Sequence, residues 1–95
     1  MAVNVKIPTI LRPQVGGAAE VAVDVDGRPS TVRDLLTDLE RRYPGVTGRI
    51  LADDGKIHRF VNLYVNDEDV RYIGALEAEV REGDTISILP AVAGG

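Results

Sequence analysis

Cysteine is absent from this sequence of 95 residues. Without a thiol the chain can form no disulfide, no zinc–thiolate site and no cysteine nucleophile. It has one histidine, His58, and two serines, Ser30 and Ser87, so no nucleophile has an evident base beside it. We therefore expect that the protein is not an enzyme and that it binds no metal or cofactor of its own.

Long apolar runs and excess positive charge are also missing. No segment approaches the roughly 20 apolar residues of a membrane-spanning helix, and no signal peptide is evident. Fifteen acidic and eleven basic residues give a net charge of −4, which argues against nucleic acid as a partner. We expect a cytoplasmic protein, monomeric when free, that meets protein partners and neither nucleic acid nor membrane.

Apolar residues that alternate with polar ones predict four strands. With only four aromatic residues in the chain, the core must consist mainly of valine, isoleucine and leucine. The alternation has the period of two that is typical of half-buried strands. The predicted strands cover residues 3–7, 20–25, 59–66 and 85–89, with turns at 16–17 and 82–84.

One amphipathic helix stands between the second and third strands. Its apolar positions share one stripe with helical spacing: Val32, Leu35, Leu36, Leu39 and Tyr43. Ser30 or Thr31 is placed to cap its start, and Pro44-Gly45 ends it.

The weaker segments are interpreted as follows: a helical turn over 46–51, a short strand over 70–72, and an irregular stretch or single turn over 76–80. This order predicts an α+β fold of the β-grasp (ubiquitin-like) type. We expect a mixed four- to five-stranded sheet with one main helix on one face, formed by residues 1–89. Residues 90–95 are predicted to be a flexible tail.

The side chains directed away from the helix form a candidate docking surface. In a β-grasp the first and last strands lie side by side, beside the strand of residues 59–66, so Pro8, Phe60 and Leu89 become neighbours. An exposed apolar cluster favours partner docking. The alternative is that a loop covers these residues.

The tail Pro90-Ala91-Val92-Ala93-Gly94-Gly95 carries the sharpest functional hypothesis. Glycine has no side chain, so a Gly-Gly end can pass through a narrow channel and bring its carboxylate to a reactive centre. Ordering five such residues on binding costs roughly 5–10 kcal/mol. Burying a few large apolar side chains can offset that cost.

Four segments resemble the MoaD/ThiS family of sulfur carriers, in particular the carriers that serve cysteine biosynthesis: residues 7–13, 58–62, 64–71 and 88–95. The resemblance implies that an E1-like enzyme adenylates Gly95 with ATP and that sulfur then converts it to a thiocarboxylate. Pro90, Ala91, Val92, Ala93 and Gly94 would thread into the partners. It further implies a PLP-dependent cysteine synthase that uses O-phosphoserine, and a zinc metalloprotease that releases cysteine.

Three other functions stay open on the sequence alone. The ending fits a carrier for molybdopterin synthesis as well as one for cysteine. A ubiquitin-like modifier would be conjugated to other proteins through Gly95. A plain binding module would have an inert tail.

Overall fold

The computed structural model describes residues 2–24 and 30–90. It contains one α-helix, α1, over Val32–Arg42. The strands are β1 Ala2–Lys6, β2 Glu20–Asp24, β3 Ser30–Thr31, β4 Val61–Val65, β5 Glu68–Asp69, β6 Glu79–Val80 and β7 Thr85–Pro90. Short 3₁₀ helices cover Thr9–Val15, Thr47–Arg49, Val70–Tyr72 and Ala75–Glu77.

Five strands form one mixed sheet in the order β2-β1-β7-β4-β5. The central pair, β1 and β7, is parallel, with Val5 opposite Ile86. β7 is antiparallel to β4 on its other side, with Leu63 opposite Ile88. The predicted β-grasp is confirmed, including the adjacent first and last strands.

The core lies between this sheet and α1. Buried residues of the sheet, such as Val3, Val5 and Ile88, belong to the same apolar cluster as Leu35 and Leu39 of the helix. No charged or polar residue within 2–24 and 30–90 is buried. The apolar stripe read from the sequence is therefore the surface that joins helix to sheet.

A capping box fixes the start of α1. The amide of Asp34 donates to Thr31 Oγ1 at 3.2 Å, and the amide of Thr31 donates to Asp34 Oδ2 at the same distance. Each bond satisfies a backbone donor that the first turn leaves free. Thr31, rather than Ser30, is the cap.

Two local predictions are wrong. Residues 70–72 form a 3₁₀ helix, and the short strand that returns along β4 is Glu68–Asp69. The strand predicted over 59–66 is β4, and it begins at Val61 because residues 59 and 60 form a turn.

The stretch 76–80 contains part of a second, small sheet. Ala75–Glu77 is a 3₁₀ turn, after which β6 pairs with β3 in a small second sheet. That sheet is absent from the sequence prediction. Val25 and the predicted break at 26–29 lie outside the described residues.

Candidate docking face and the exit of the tail

The central strand β7 leads directly to the tail. It extends through Pro90, which pairs with Val61 of β4, one residue beyond the predicted end of the strand. Ala91, Val92, Ala93, Gly94 and Gly95 lie outside the described residues. Pro90 thus marks the point at which the tail leaves the sheet, and its pairing with β4 fixes that point.

Pro8 and Leu89 lie together on the open side of the sheet. Lys6 is the last residue of β1 paired with β7, opposite Ser87, and Pro8 and Leu89 each follow two residues later in the chain. Both line a groove that also contains Ile10. Leu89 is 48% exposed, and Pro8 is half-buried.

Phe60 stands in the turn before β4 and not within the strand. It is 43% exposed and lines a second hollow together with Pro8 and Pro90. Pro8 therefore borders both the groove with Leu89 and the hollow with Phe60. The three predicted docking residues surround the end of β7, as an arc rather than a flat patch.

Local contacts hold Phe60 in place. Its amide donates to His58 Nδ1 at 3.1 Å, and the two rings lie 5.3 Å apart. The guanidinium of Arg59 lies 4.9 Å from the centre of the Phe60 ring, a cation–π distance. His58 is thus a local contact that positions Phe60 in this turn.

The described residues leave this arc open. Within 2–24 and 30–90 no loop covers Leu89 or Phe60, so the covered alternative finds no support in the part of the chain that the structure describes. Whether partners dock there remains a prediction.

Sequence reasoning missed Ile10, which is 71% exposed and borders both the groove and the hollow. The 3₁₀ helix Thr9–Val15 buries the neighbouring Leu11 and turns Ile10 outward. Pro8 and Pro13 in the sequence limit regular strand pairing here, but they do not indicate which of two adjacent apolar residues is exposed.

Comparison with known proteins assigns the chain to a family. The sequence profile of the ThiS family matches residues 5–95. The chain belongs to the ThiS family. The sulfur carrier protein CysO of Mycobacterium tuberculosis is 50% identical over 97 residues, which cover the whole of both chains.

One solved structure and a second sequence relative agree with this assignment. A chain in the crystal structure of the Amycolatopsis orientalis BexX/CysO complex superposes with a TM-score of 0.88 at 53% identity, covering 99% of this chain and 100% of that one. Small archaeal modifier protein 3 of Haloferax volcanii is 36% identical over 70% of this chain and 71% of its own. The predicted membership of the MoaD/ThiS carriers is confirmed.

The described residues of this ThiS-family chain contain neither a membrane-spanning helix nor a metal-binding cluster. None of the helices in residues 2–24 and 30–90 has the length and apolar character needed to cross a membrane. Over the same ranges no group of three or more histidine or acidic side chains is arranged to hold a metal ion.

Proposed function

We propose that this ThiS-family protein carries sulfur on its C-terminal Gly95 for the synthesis of cysteine from O-phosphoserine. The observation that carries the proposal is the 50% identity to the sulfur carrier CysO over the full length of both chains. The carrier works in the cytoplasm and is not itself a catalyst.

The chemistry requires an activating partner. A terminal carboxyl is ionised at neutral pH and is a poor electrophile. An E1-like enzyme joins the Gly95 carboxylate to AMP from ATP, and pyrophosphate leaves. A sulfur donor then displaces AMP, and the product is a thiocarboxylate.

The thiocarboxylate is the nucleophile of the next step. In a PLP-dependent cysteine synthase its sulfur adds to the aminoacrylate that remains after O-phosphoserine loses phosphate. The cysteinyl group then shifts to an amide at Gly95, and a zinc metalloprotease hydrolyses that amide to release cysteine. ATP, PLP and zinc belong to these partners, so the carrier needs no cofactor or base of its own.

In this proposal the sheet positions the tail, and the apolar residues around its base select the partner. β7 is paired with β1 as far as Ser87 and with β4 as far as Pro90, which supports a fixed base for residues 91–95. The arc of Pro8, Phe60 and Leu89 around that base supplies apolar surface for successive partners. The BexX/CysO complex shows that a protein of this kind forms a complex with a partner.

Modifier function is the second candidate, because a small archaeal modifier protein matches 70% of this chain. A modifier would join Gly95 to lysine side chains of other proteins. A molybdopterin carrier would use the same thiocarboxylate with a different recipient. Full-length identity to CysO favours the cysteine pathway over both.

The decisive experiment mixes thiocarboxylated protein with a PLP-dependent cysteine synthase and O-phosphoserine and then measures the intact mass. We expect the carrier to gain a cysteinyl group at Gly95. O-acetylserine in place of O-phosphoserine serves as the substrate control, and the protein with an ordinary carboxylate serves as the carrier control.

Two results would contradict the proposal. A thiocarboxylate that persists unchanged beside an active synthase would exclude the cysteine pathway. A ladder of conjugates through Gly95 in the native host, with no sulfur-bearing free form, would instead indicate a modifier.

A further inference from the structure

We infer that the hollow beside Pro90 docks a partner segment in which one large apolar side chain is flanked by carboxylates. The hollow has a volume of about 260 Å³ and is lined by Pro8, Ile10, Leu11, Arg49, His58, Phe60, Val61, Ile88 and Pro90. The inference rests on the proposed function in one respect, namely that the segment belongs to a partner that also receives the tail.

The floor of the hollow is apolar. Leu11 and Ile88 are buried side chains of the core, while Ile10 and Phe60 stand exposed at the rim. A leucine- or methionine-sized side chain fits such a space and excludes water from both rim residues. This is the form of the central anchor in many protein interfaces.

Positive and donor groups surround this apolar floor. Arg49 and His58 line the hollow, and Arg59, which is outside the lining, lies over the ring of Phe60. Because His58 Nδ1 accepts the amide of Phe60, the proton of the neutral ring lies on Nε2, where it is available for donation. No acidic residue lines the hollow.

Arg49 in the hollow and Arg59 beside it have no carboxylate partner, and among the described residues their side chains also donate to no backbone carbonyl, whereas those of Arg12 and Arg42 donate to Ile7 and Ala22. Arg33, Arg41, Arg71 and Arg81 each pair with an acidic side chain at 2.7–3.4 Å. Over residues 2–24 and 30–90, neither Arg49 nor Arg59 has an acidic group within the 4.0 Å that defines an ion pair. The nearby Asp54 accepts from the Lys56 amide in its own turn.

This distribution indicates an acidic partner. A chain with net charge −4 repels acidic surfaces as a whole. Arg49 in the hollow and Arg59 over Phe60, both without a carboxylate partner, make this one site attractive to acidic side chains. Arginine suits the role because its planar donors bind carboxylates in two-point geometry. A basic or neutral segment would leave both arginines without partners in a partly dehydrated interface.

The location connects the hollow to the tail. Pro90 is the last described residue of β7 and also a wall of the hollow. A segment seated here therefore lies at the base of residues 91–95. A recipient enzyme could bind the hollow and the tail with one continuous surface.

The test is an NMR titration of the full-length, isotopically labelled protein with two blocked peptides. One is acetyl-Glu-Glu-Leu-Glu-Glu-amide and the other is acetyl-Gln-Gln-Leu-Gln-Gln-amide. We expect the acidic peptide to shift the amide signals of Ile10, Arg49 and Phe60 and to bind about fivefold more tightly than its neutral counterpart. Added salt should remove most of that difference.

Two charge-reversal variants give the matched comparison. Arg49→Glu should abolish the preference for the acidic peptide, whereas Arg41→Glu, the same charge change on α1, should leave it intact. The amide spectrum of each variant reports whether the fold is retained.

Equal affinity for both peptides, or equal loss in both variants, would overturn the inference. Shifts confined to another surface would overturn it as well. The titration needs neither sulfur nor ATP, so its outcome is independent of whether Gly95 is ever sulfurated.

Discussion

At the level of single residues, the proposed chemistry depends on the position of one carboxyl group, that of Gly95. We predict that deleting Gly95, or adding one residue after it, abolishes thiocarboxylate formation. The acyl carbon would then stand one residue, roughly 3.3 Å, away from the position at which the activating enzyme attacks it. Intact mass after incubation with ATP, sulfur donor and activating enzyme measures the effect.

Both tail variants should unfold at the same temperature as the parent protein, because residues 2–24 and 30–90 already contain the buried core. Normal sulfuration of the deletion variant would contradict the assignment of Gly95. A lowered thermal midpoint would show that the tail contributes to the fold.

Leu89 tests the docking face one residue at a time. We predict that Leu89→Asp weakens binding to the activating enzyme at least about tenfold, since it places a charge in an apolar contact. Leu89 is 48% exposed, so the fold should tolerate the change. Titration calorimetry with the purified enzyme gives the dissociation constant.

Tyr72→Asp is the matched control, because Tyr72 is 83% exposed and borders neither the groove of Leu89 nor the hollow of Phe60. Its affinity should stay unchanged. If both variants bind like the parent protein, the predicted face is not where this partner docks.

At the level of elements, α1 supplies one wall of the core. Leu36 is 2% exposed and belongs to the buried cluster. We predict that Leu36→Ala lowers the free energy of unfolding by roughly 2–5 kcal/mol, from lost burial and the cavity left behind. Urea denaturation followed by circular dichroism measures the change, and a loss below 1 kcal/mol would contradict this packing.

Hydrogen bonds to the side chain of Glu40 connect the end of α1 to the loop that follows it. Glu40 accepts three hydrogen bonds, from Thr47 Oγ1 at 2.6 Å, the Gly45 amide at 2.7 Å and the Thr47 amide at 3.1 Å. These bonds favour the carboxylate, first of all the one from the Thr47 hydroxyl, and hold the pKa of Glu40 below its usual value.

The sign of the pH dependence follows from that lowered pKa. The unfolded chain takes up a proton at Glu40 more readily than the folded one, so this stabilisation is present at neutral pH and is lost on acidification below about pH 4.5. We predict that Glu40→Gln unfolds at a lower temperature than the parent protein at pH 7. The gap in thermal midpoint should narrow towards pH 3, and a constant gap would contradict this role.

Asp69 is a second carboxyl group that makes the stability of the folded protein depend on acid pH. Hydrogen bonds from the Arg71 side chain lower the pKa of Asp69 as well, so the parent protein loses stability in acid for more than one reason. Comparing parent and variant at each pH cancels the Asp69 contribution.

The strands of five or more residues and α1 could be predicted from the sequence because apolar residues recur along them at a regular spacing, whereas the 3₁₀ helix Thr9–Val15 has no such repeat. In β1 every second residue is buried, and in α1 the buried residues recur every three or four positions, as burial of one face requires. β3 and β6 have two residues each, too few for any period, and their pairing joins positions about fifty residues apart. The strand at Glu68–Asp69 was misplaced for the same reason.

The candidate site divides along similar lines. Leu89 and Pro8 could be placed on one face because strand alternation is local and the order of the central strands follows from the β-grasp. The unpaired state of Arg49 and Arg59 could not, since an ion pair depends on which distant carboxylates the fold brings near.

At the level of the whole molecule, one apolar cluster joins every major element. Residues from β1, β2, α1, β4 and β7 all contribute to it. We predict a single cooperative unfolding transition, because no element has a separate core to retain. Circular dichroism and tyrosine fluorescence should give the same midpoint, with equal calorimetric and van't Hoff enthalpies. Two resolved transitions would contradict the single core.

The parallel pairing of β1 with β7 has a practical consequence for handling the protein. The backbone carbonyl of Ala2 accepts a hydrogen bond from the amide of Gly83, in the turn that leads into β7. Pro90 lies seven residues further on, roughly 20 Å away along the sheet. An affinity tag or surface linker fused before Ala2 would therefore leave the opposite rim of the molecule facing solution, whereas a carboxy-terminal tag would occupy the very group whose chemistry is to be measured.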